Sequence, residues 1–157
     1  MENFHILVVC TGNICRSPMA QGMLRHFMPG SFKEIVTVSS AGTEALHGNQ
    51  PSVNAIQAMK HYGIDISAHR ARGLNRPMVA GADLILAMEQ YHLKIIRTMR
   101  FFGAGKAHLL SRFDNSRKPY DLPDPMGGGP DIYSESVKLI YNCLEGFYSY
   151  LEERIDV

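Results

Sequence analysis

Ten residues near the start of the chain, VCTGNICRSP at positions 9–18, bring a thiol, a guanidinium and a hydroxyl close together. Gly12 permits backbone conformations that a Cβ would disfavour, and Arg16 can hold two oxygens of a phosphate at once. If the stretch joins a strand to the start of a helix, its backbone N–H groups would surround an anion. Such surroundings favour a thiolate, so we expect the pKa of Cys10 to fall from ~8.5 into the range ~3.5–7.5. The pattern therefore predicts a sulfur nucleophile that attacks the phosphorus of a phosphate ester.

The remaining side chains of this stretch have supporting roles in the same prediction. Ser17 is placed to donate a hydrogen bond to the thiolate, and Asn13 to fix the loop through bonds to neighbouring backbone. Thr11, Ile14 and Cys15 complete the expected phosphate-binding loop. A single cysteine in an apolar strand is usually a small buried hydrophobic residue. Here a strand end, a glycine, an arginine and a serine occur together in order, which favours the chemical interpretation.

Apolar runs and helical spacing alternate along the chain, and this alternation places the loop within a fold. The apolar runs predict strands at Phe4–Val9, Glu34–Ser40, Asp83–Ala87 and Lys106–Leu110. Helical signals predict helices at Met19–Met28, from Pro51 to Gly63, at Glu89–Met99, and along a last apolar face of Val137, Ile140, Tyr141, Leu144, Phe147, Tyr148 and Leu151. Strands that alternate with helices indicate a parallel sheet with helices on both faces, whose sites lie at the carboxyl ends of the strands.

The sequence thus predicts a single α/β domain over residues 1–157, with a four-stranded parallel sheet and the phosphate-binding loop after the first strand. No internal repeat or linker divides the chain. Two residues are expected to cap helices: Ser17 at the helix that starts with Pro18, and Asp131 at the last helix. Asp121 is interpreted as a loop charge.

Composition and charge exclude several functional classes. The chain has 16 basic and 15 acidic residues and a net charge of +1, so its overall charge does not favour nucleic acid or an anionic membrane. No apolar run approaches the ~20 residues that span a bilayer, and the N-terminus MENFHILVVC lacks the basic and apolar regions of a signal peptide. Three cysteines are an odd number for a secreted disulfide scaffold. We therefore expect a cytoplasmic protein without membrane insertion.

Other motifs that bind nucleotides or metals are absent from the sequence. A nucleotide-binding loop of the form G-x-x-x-x-G-K-[ST] needs a lysine that positions 9–18 lack, and the dinucleotide pattern G-x-G-x-x-G is also absent. A zinc site needs four ligands at suitable spacing. Cys10 and Cys15 form one pair, whereas Cys143 lies far along the chain. We predict neither a metal nor a cofactor.

The stretch CTGNICRSP resembles the loop of the low-molecular-weight protein tyrosine phosphatases, which has the form Cys-x5-Arg-Ser close to the N-terminus. Segments along nearly the whole chain are also similar to that family: Ser40–Thr43, Gly63–Ser67, His69–Arg72, Asp83–Met88, and Asp124–Pro125 shortly before the last helix. The resemblance implies a four-stranded parallel sheet, a phosphocysteine intermediate and no metal.

The resemblance also implies a two-step hydrolysis carried by three residues. Cys10 attacks phosphorus and becomes a phosphocysteine, while Arg16 and the loop amides hold the equatorial oxygens. Asp124 donates a proton to the leaving oxygen and then activates the water that hydrolyses the intermediate. Taken alone, the stretch Leu122–Pro125 also has the composition of an ordinary turn. The assignment of Asp124 therefore depends on the cysteine loop.

A second set of residues is expected to brace the loop. In the family, residues at the positions of Ser40 and His69 do so through hydrogen bonds, and an aspartate often stands beside the histidine. Glu89 follows Met88 at that position here, with a side chain one methylene longer. The alternative for His69 is a solvent-exposed residue of the basic stretch His69–Arg72, since polar residues are mostly exposed.

The expected substrate follows from the rim of the pocket and from Ile14. Where many family members carry aromatic residues, this chain has Leu46 and Met126, which resembles the bacterial members more than the animal ones. Arginine-specific relatives tend to have threonine at the position of Ile14, so an aliphatic residue there favours phosphotyrosine. The resemblance implies a phosphotyrosine protein as the partner, and some bacterial relatives act with tyrosine kinases. We expect a monomer.

Three alternatives stay open on the same fold. The pattern Asp-Pro-x-Gly-Gly from Asp124 also occurs in arginine-type relatives, which keeps a protein-arginine phosphatase as the second candidate. An arsenate reductase would need further cysteines on a mobile segment, and residues 73–90 contain none. A phosphoprotein-binding module without catalysis would keep the loop but would not need the acid.

Cys15 is in addition a redox candidate. Relatives with this cysteine pair are reversibly oxidised there, which implies a disulfide between Cys10 and Cys15 that protects the nucleophile from further oxidation. The alternative is that Cys15 fills a small apolar space under the loop.

Overall fold

A parallel sheet lies at the centre of the computed structural model, which describes residues 3–99 and 104–155. Within these ranges the strands are β1 (Phe4–Cys10), β2 (Val36–Gly42), β3 (Leu84–Ala87) and β4 (Ala107–Leu109), in the order β2-β1-β3-β4. The predicted α/β fold with a four-stranded parallel sheet is confirmed, and β1 is paired along both of its edges. Residues 1–2, 100–103 and 156–157 of the expected domain lie outside the described part of the chain.

Helices cover both faces of the sheet, as the alternating pattern predicts. In the described residues the α-helices are α1 (Arg16–Phe27), α2 (Val53–Lys60), α3 (Arg76–Gly81), α4 (Gln90–Thr98) and α5 (Pro130–Arg154), and 3₁₀ turns occur at Gly30–Phe32, Ala104–Lys106 and Leu110–Phe113. Side chains of α1, α2 and α5 share one apolar cluster with the sheet, and side chains of α3 and α4 share the other. The sheet is therefore the middle of three layers.

The alternation of side chains along β1 divides the core into these two clusters. Ile6 and Val8 belong to the cluster with α1 and α5, whereas Leu7 and Val9 belong to the cluster with α3 and α4. All four side chains are fully buried, and each burial stabilises the fold by about 1.5–3 kcal/mol. A strand covered on both faces needs apolar residues at every position, which explains the continuous apolar run at the start of the chain.

Two helix starts differ from the predictions. α1 begins at Arg16, so Ser17 lies inside the first turn and does not cap the helix. Its hydroxyl is bonded to the loop instead, as described below. α5 has Gly129 as its N-cap residue and Pro130 at its first position, so Asp131 is not the cap. Asp131 lies in the first turn, where its charge is favourable for the helix dipole.

The sequence pattern does not predict α3, and it places β2 at Glu34–Ser40, two residues too early. α3 is only six residues long and cannot show a periodic apolar face; its start is fixed by Asn75, whose side chain accepts from the N–H of Met78 (2.9 Å). β2 continues through Gly42 because it pairs with β1 as far as Cys10. The other element ends agree to within a few residues, as is usual for helix and strand boundaries.

Candidate active site

The phosphate-binding loop occupies the residues between the end of β1 at Cys10 and the start of α1 at Arg16. In the sheet, Cys10 lies opposite Gly42 of β2. A Cβ at Gly42 would clash with the carbonyl oxygen of Thr11, so only glycine fits there without a shift of the loop. The chain after β2 then follows the loop, since the N–H of Glu44 donates to the same carbonyl (2.9 Å).

Asn13 holds the loop in shape through a side chain that is completely buried. Its Nδ2 donates to the hydroxyls of Ser17 (2.8 Å) and Ser40 (2.9 Å), and its Oδ1 accepts from the backbone N–H of Arg72 (3.0 Å). Its φ of 57° lies in the left-handed region, which asparagine adopts more readily than most residues. One residue thus connects α1, β2 and the segment that contains Arg72 to the loop.

His69 binds the backbone of the same asparagine. Its Nε2 donates to the carbonyl oxygen of Asn13 (2.8 Å). The ring is half-buried, and burial lowers the pKa of His69, while this hydrogen bond acts in the opposite direction. His69 therefore lies against the loop. It is not the solvent-exposed residue that the alternative for the basic stretch predicted.

The sulfur of Cys10 lies at the closed end of the loop, and the residue is 2% exposed. Its Sγ is 2.9 Å from Oγ of Ser17, and the backbone N–H of Asn13 donates to it (3.3 Å). Burial raises the pKa of the Cys10 thiol; the Ser17 hydrogen bonds, the Arg16 charge and the Asn13 amide act in the opposite direction. The sequence predicts a lowered pKa for Cys10; in this geometry burial, which removes water from the sulfur, outweighs the favourable dipoles.

The guanidinium of Arg16 is also 2% exposed and has partners on several sides. Its Nη1 donates to Oε2 of Glu89 (2.7 Å) and to the carbonyl oxygen of Leu122 (2.8 Å). Its Nη2 lies 3.6 Å from Oδ2 of Asp124 and 3.4 Å from Oγ1 of Thr11. The orientation of the guanidinium is thus determined by the loop, by the start of α4 and by the segment before α5.

Glu89 is the partner of Arg16 and not of His69. It is the N-cap residue of α4, which follows β3 and so begins at the same edge of the sheet as the loop. The pairing with His69 that the family resemblance suggests is not formed, because the segment 69–73 runs beside β2, whereas β3 lies on the other side of β1. The extra methylene of Glu89 extends towards the guanidinium of Arg16.

Asp124 and the rim residues are much more exposed than the floor of the loop. The side chain of Asp124 is 48% exposed, and its Oδ1 accepts from the backbone N–H of Met126 (3.0 Å). The expected rim residues Leu46 and Met126 are 71% and 52% exposed. Tyr91, at the start of α4, is an exposed aromatic side chain that the sequence analysis missed, and its hydroxyl donates to Oε1 of Glu44 (3.1 Å).

Cys15 lies beneath the loop in contact with two hydroxyl groups. Its Sγ is 3.3 Å from Oγ of Ser52 and 3.2 Å from the hydroxyl of Tyr133, and those two oxygens are 3.1 Å apart. Burial raises the pKa of Tyr133 to about 12. The N–H of Ser52 also donates to the carbonyl oxygen of Ile14 (2.9 Å). The loop is therefore attached from below to the starts of α2 and α5.

A family model described as low molecular weight phosphotyrosine protein phosphatase matches residues 5–156 of the chain. The chain belongs to this phosphatase family. The match confirms the resemblance seen in the loop and in the segments that follow it.

Known members of the phosphatase family match over most of their length. The probable low molecular weight protein-tyrosine-phosphatase EpsP of Ralstonia nicotianae is 40% identical over 142 residues, which cover 90% of this chain and 92% of EpsP. The crystal structure of the low molecular weight protein tyrosine phosphatase from T. tengcongensis has a TM-score of 0.82 at 32% identity. The match covers 94% of this chain and 99% of the T. tengcongensis chain. YwlE arginine phosphatase from Geobacillus stearothermophilus has a TM-score of 0.82 at 34% identity, and the match covers 96% of this chain and 94% of the YwlE chain.

Several contacts of the phosphatase loop come from residues that no sequence pattern assigned to the site. These residues are Gly42, Ser52, Leu122, Tyr133 and His92. Two of them carry a local signal: Ser52 precedes a helix as an N-cap, and His92 stands three residues after Glu89, the spacing of a capping box. Asp121, expected as a loop charge, accepts from the N–H of Gln90 at the start of α4 (2.8 Å).

Three further observations concern metal sites, membrane spans and the third cysteine. Among residues 3–99 and 104–155, no group of three or more His, Cys, Asp or Glu side chains is arranged to hold a metal ion. In the same part of the chain, no helix is both long and apolar enough to cross a membrane. Cys143 is buried within α5, its Sγ donates to the carbonyl oxygen of Leu139 (3.2 Å), and burial raises its pKa to about 12. Such a thiol is poorly placed to relay a disulfide outward, as an arsenate reductase requires.

Proposed function

We propose that this chain hydrolyses phosphotyrosine monoesters of proteins through a phosphocysteine intermediate on Cys10. The observation that carries the proposal is the convergence of three groups on one loop. The buried sulfur of Cys10 ends β1, and Nη2 of Arg16 lies 3.6 Å from Oδ2 of Asp124. A nucleophile, an anion-binding fork and a proton donor are what phosphoryl transfer from a phenol through a covalent intermediate requires.

In the first step the substrate phosphate binds to the loop amides and to Arg16. Burial raises the pKa of Cys10, which favours the thiol over the thiolate. A thiol beside a phosphate dianion and a thiolate beside a phosphate monoanion carry the same number of protons. Transfer of that proton to the phosphate therefore creates the nucleophile when substrate enters. The sulfur then bonds to phosphorus as the bond to the phenolic oxygen breaks. Asp124 donates its proton to this oxygen, which leaves as the tyrosine hydroxyl.

In the second step the carboxylate of Asp124 takes a proton from water, and the water oxygen attacks phosphorus. The sulfur–phosphorus bond breaks, inorganic phosphate forms, and negative charge returns to Cys10. The hydroxyl of Ser17, 2.9 Å from Sγ, is placed to donate to that departing thiolate, and the N–H of Asn13 is a second donor. Both donors are fixed in advance by the bonds of Asn13, as stabilisation of developing charge requires.

The aliphatic lining of the site supports an aromatic leaving group. Ile14 packs against the main apolar cluster and is not fully buried, so it offers an aliphatic surface within the loop itself that suits a flat phenyl ring. Met126 and Leu46 can pack on a ring face at the rim, and Tyr91 adds an aromatic side chain near Glu44. EpsP, the relative described above, is named as a probable tyrosine phosphatase.

A protein-arginine phosphatase is the second candidate. The arginine phosphatase YwlE is as similar in structure as the tyrosine phosphatase from T. tengcongensis, with a TM-score of 0.82 for both. The sequence Asp124-Pro-Met-Gly-Gly also has the form found in arginine-type relatives. Ile14 is the residue that favours phosphotyrosine over this candidate.

The test compares kcat/KM for three peptides of one sequence that carry phosphotyrosine, phosphoserine or phosphoarginine. We expect phosphotyrosine to be preferred by at least about tenfold, which corresponds to ~1.4 kcal/mol of transition-state stabilisation. A preference for phosphoarginine would replace the proposal with the second candidate. The Cys10→Ser variant, purified in parallel, measures any contaminating activity.

The variant Ile14→Thr sharpens this comparison. If the aliphatic side chain selects the phenyl ring, the ratio of phosphotyrosine to phosphoarginine turnover should fall in the variant. Leu46→Thr replaces another aliphatic side chain with threonine, at the rim, and serves as the matched control, for which we expect a smaller effect on that ratio. An unchanged ratio in Ile14→Thr would show that this residue does not set the preference.

The same proposal extends to location and partners. We expect a cytoplasmic monomer that acts on phosphotyrosine proteins, a tyrosine kinase among them. The net charge of +1 supports a protein rather than a nucleic-acid partner. Gel filtration should give the volume of a single chain at micromolar concentration, and an autophosphorylated tyrosine kinase should lose its label in the presence of the enzyme.

A further inference from the structure

His92 is a completely buried histidine in the first turn of α4 that touches two partners of Arg16. Its Nδ1 accepts from the backbone N–H of Glu89 (3.1 Å). A neutral imidazole nitrogen that accepts carries no hydrogen, so the proton is on Nε2. Nε2 lies 2.8 Å from Oγ1 of Thr11 and donates to it. The two hydrogen bonds together determine the tautomer of the ring.

The surroundings keep this ring neutral. Burial lowers the pKa of His92, and the charge of Arg16 acts in the same direction. The carboxylates of Glu89, Asp121 and Asp124 act in the opposite direction with less effect. A second proton would also place an N–H at Nδ1 against the N–H of Glu89, where two donors would face each other.

Both residues that His92 binds also contact Arg16. Glu89 accepts from Nη1 (2.7 Å), and Oγ1 of Thr11 lies 3.4 Å from Nη2. We propose that His92 is a positioning residue that fixes Thr11 and Glu89 and thereby sets the orientation of the Arg16 guanidinium in the phosphate-binding loop. This inference rests on the proposed function, since it concerns the anion site of that reaction.

A purely local role would be the capping of α4. Glu89 and His92 form a reciprocal capping box, in which each side chain accepts from the backbone of the other. Capping, however, uses only Nδ1 of the ring. The bond from Nε2 to Thr11 connects residues 81 positions apart in the sequence and contributes nothing to the helix end. The loop contact is therefore the part of the arrangement that requires a histidine, because a shorter amide could form the cap alone.

The experiment separates the two nitrogens. An asparagine amide reaches about as far as Nδ1, so His92→Asn keeps the cap and loses the bond to Thr11. A glutamine amide reaches about as far as Nε2, so His92→Gln can restore that bond. Thr11→Val removes the same bond from the other side. His61→Asn, at an exposed position after α2, makes the same chemical change away from the site.

Each variant is characterised by kcat and KM with p-nitrophenyl phosphate, by the inhibition constant of vanadate and by its melting temperature. We expect His92→Asn and Thr11→Val each to lower kcat/KM and weaken vanadate binding by about tenfold, as the loss of one well-placed hydrogen bond would do. His92→Gln should recover much of both. The double variant should be little worse than Thr11→Val alone, because both substitutions remove the bond between His92 and Thr11.

Outcomes that overturn the inference are distinct from those that overturn the proposed function. A His92→Asn protein with a lower melting temperature but unchanged vanadate binding and kcat/KM would have lost only a structural contact. Losses that add in the double variant would show that the two residues act separately. If His92→Asn does not fold, Thr11→Val and His92→Gln still decide the matter. A wild type that binds vanadate without turnover would contradict the proposed function, and vanadate affinity would still test His92.

Discussion

The floor of the phosphate-binding loop and the acid loop before α5 serve one proposed reaction but are built very differently. On the floor, Asn13 is fully buried and makes hydrogen bonds from both its side chain and its backbone. In the acid loop, Asp124 is 48% exposed and the next residues are Pro125, Met126 and three glycines. Asn54 of α2 donates to the carbonyl oxygen of Gly128 in this loop (3.2 Å).

The contrast follows from what each region has to do. Donors that stabilise developing negative charge are effective only if they are oriented before the reaction, which requires a rigid floor. A proton donor at the rim has to meet the leaving oxygen of a protein substrate, so some freedom of the loop is useful there. Fixed polar groups around the phosphate and a loosely held acid are therefore two solutions to two different demands.

The largest effect is expected from Cys10→Ser. The hydroxyl is a much weaker nucleophile than the thiolate, so turnover should fall to background while the loop and its amides persist. Phosphate or vanadate binding, followed by NMR or calorimetry, should remain measurable. Appreciable hydrolysis of p-nitrophenyl phosphate by the purified serine variant would show that Cys10 is not the nucleophile. The floor of the loop would then not carry the reaction.

Asp124→Asn tests the rim. General acid catalysis contributes roughly 10²–10⁴-fold, and most for a leaving group of high basicity. We expect a large loss of kcat with phenyl phosphate and a much smaller one with nitrophenyl esters. Rates are measured across a series of substituted phenols. An equal loss for all of them would show that Asp124 is not the acid, and Asp121 would be tested next.

Asn13→Ala tests the rigidity of the floor. The variant leaves buried hydroxyls without a donor and puts alanine at a φ of 57°, so the free energy of unfolding should fall by about 2–4 kcal/mol. The melting temperature should then fall by ~4–16 °C for a chain of this size. Asn54→Ala is the matched change in the acid-loop contact, and it should cost less than about 1 kcal/mol. Equal costs in the two variants would contradict the contrast drawn between the regions.

Cys15→Ala has the smallest expected effect on basal turnover and tests whether the floor can rearrange. Peroxide would oxidise Cys10 to a sulfenic acid with release of water, and the thiol of Cys15 would condense with it to a disulfide and a second water. To do so, Cys15 has to leave Ser52 and Tyr133. We expect dithiothreitol to restore the wild type and to restore much less of the variant, with the disulfide located by peptide mapping.

If wild type and Cys15→Ala recover to the same extent, Cys15 is a packing residue and the floor does not open. This outcome would agree with its place in the main apolar cluster. The proposed phosphatase reaction does not depend on the result.

The fold and the nucleophile loop could be predicted because their signals are local in the sequence. The run Phe4–Val9 shows a strand covered on both faces, and Cys10 with Arg16 lies within one short motif. The partner of Glu89 could not be predicted in the same way, since it depends on which edge of β1 each neighbouring strand occupies. The contact between Cys15 and Tyr133 joins residues 118 positions apart, and no local sequence motif predicts it.

The pKa of Cys10 shows a second limit of sequence reasoning. The residues that favour a thiolate can be read from the motif, whereas desolvation depends on how completely the finished fold covers the sulfur. A residue type can thus indicate a role while the energy of its charged form stays undetermined until burial is known.

The position of β1 between β2 and β3 has a consequence for local unfolding and hydrogen exchange. Backbone amides of a central strand are released only when its neighbours separate, so those of β1 should exchange among the slowest of the described residues. Cys10 lies at the end of that strand, whereas the side chain of Asp124 is 48% exposed. Local unfolding that exposes the acid loop can therefore occur transiently within the native state. Unfolding that exposes β1, the strand that ends at Cys10, requires nearly global unfolding.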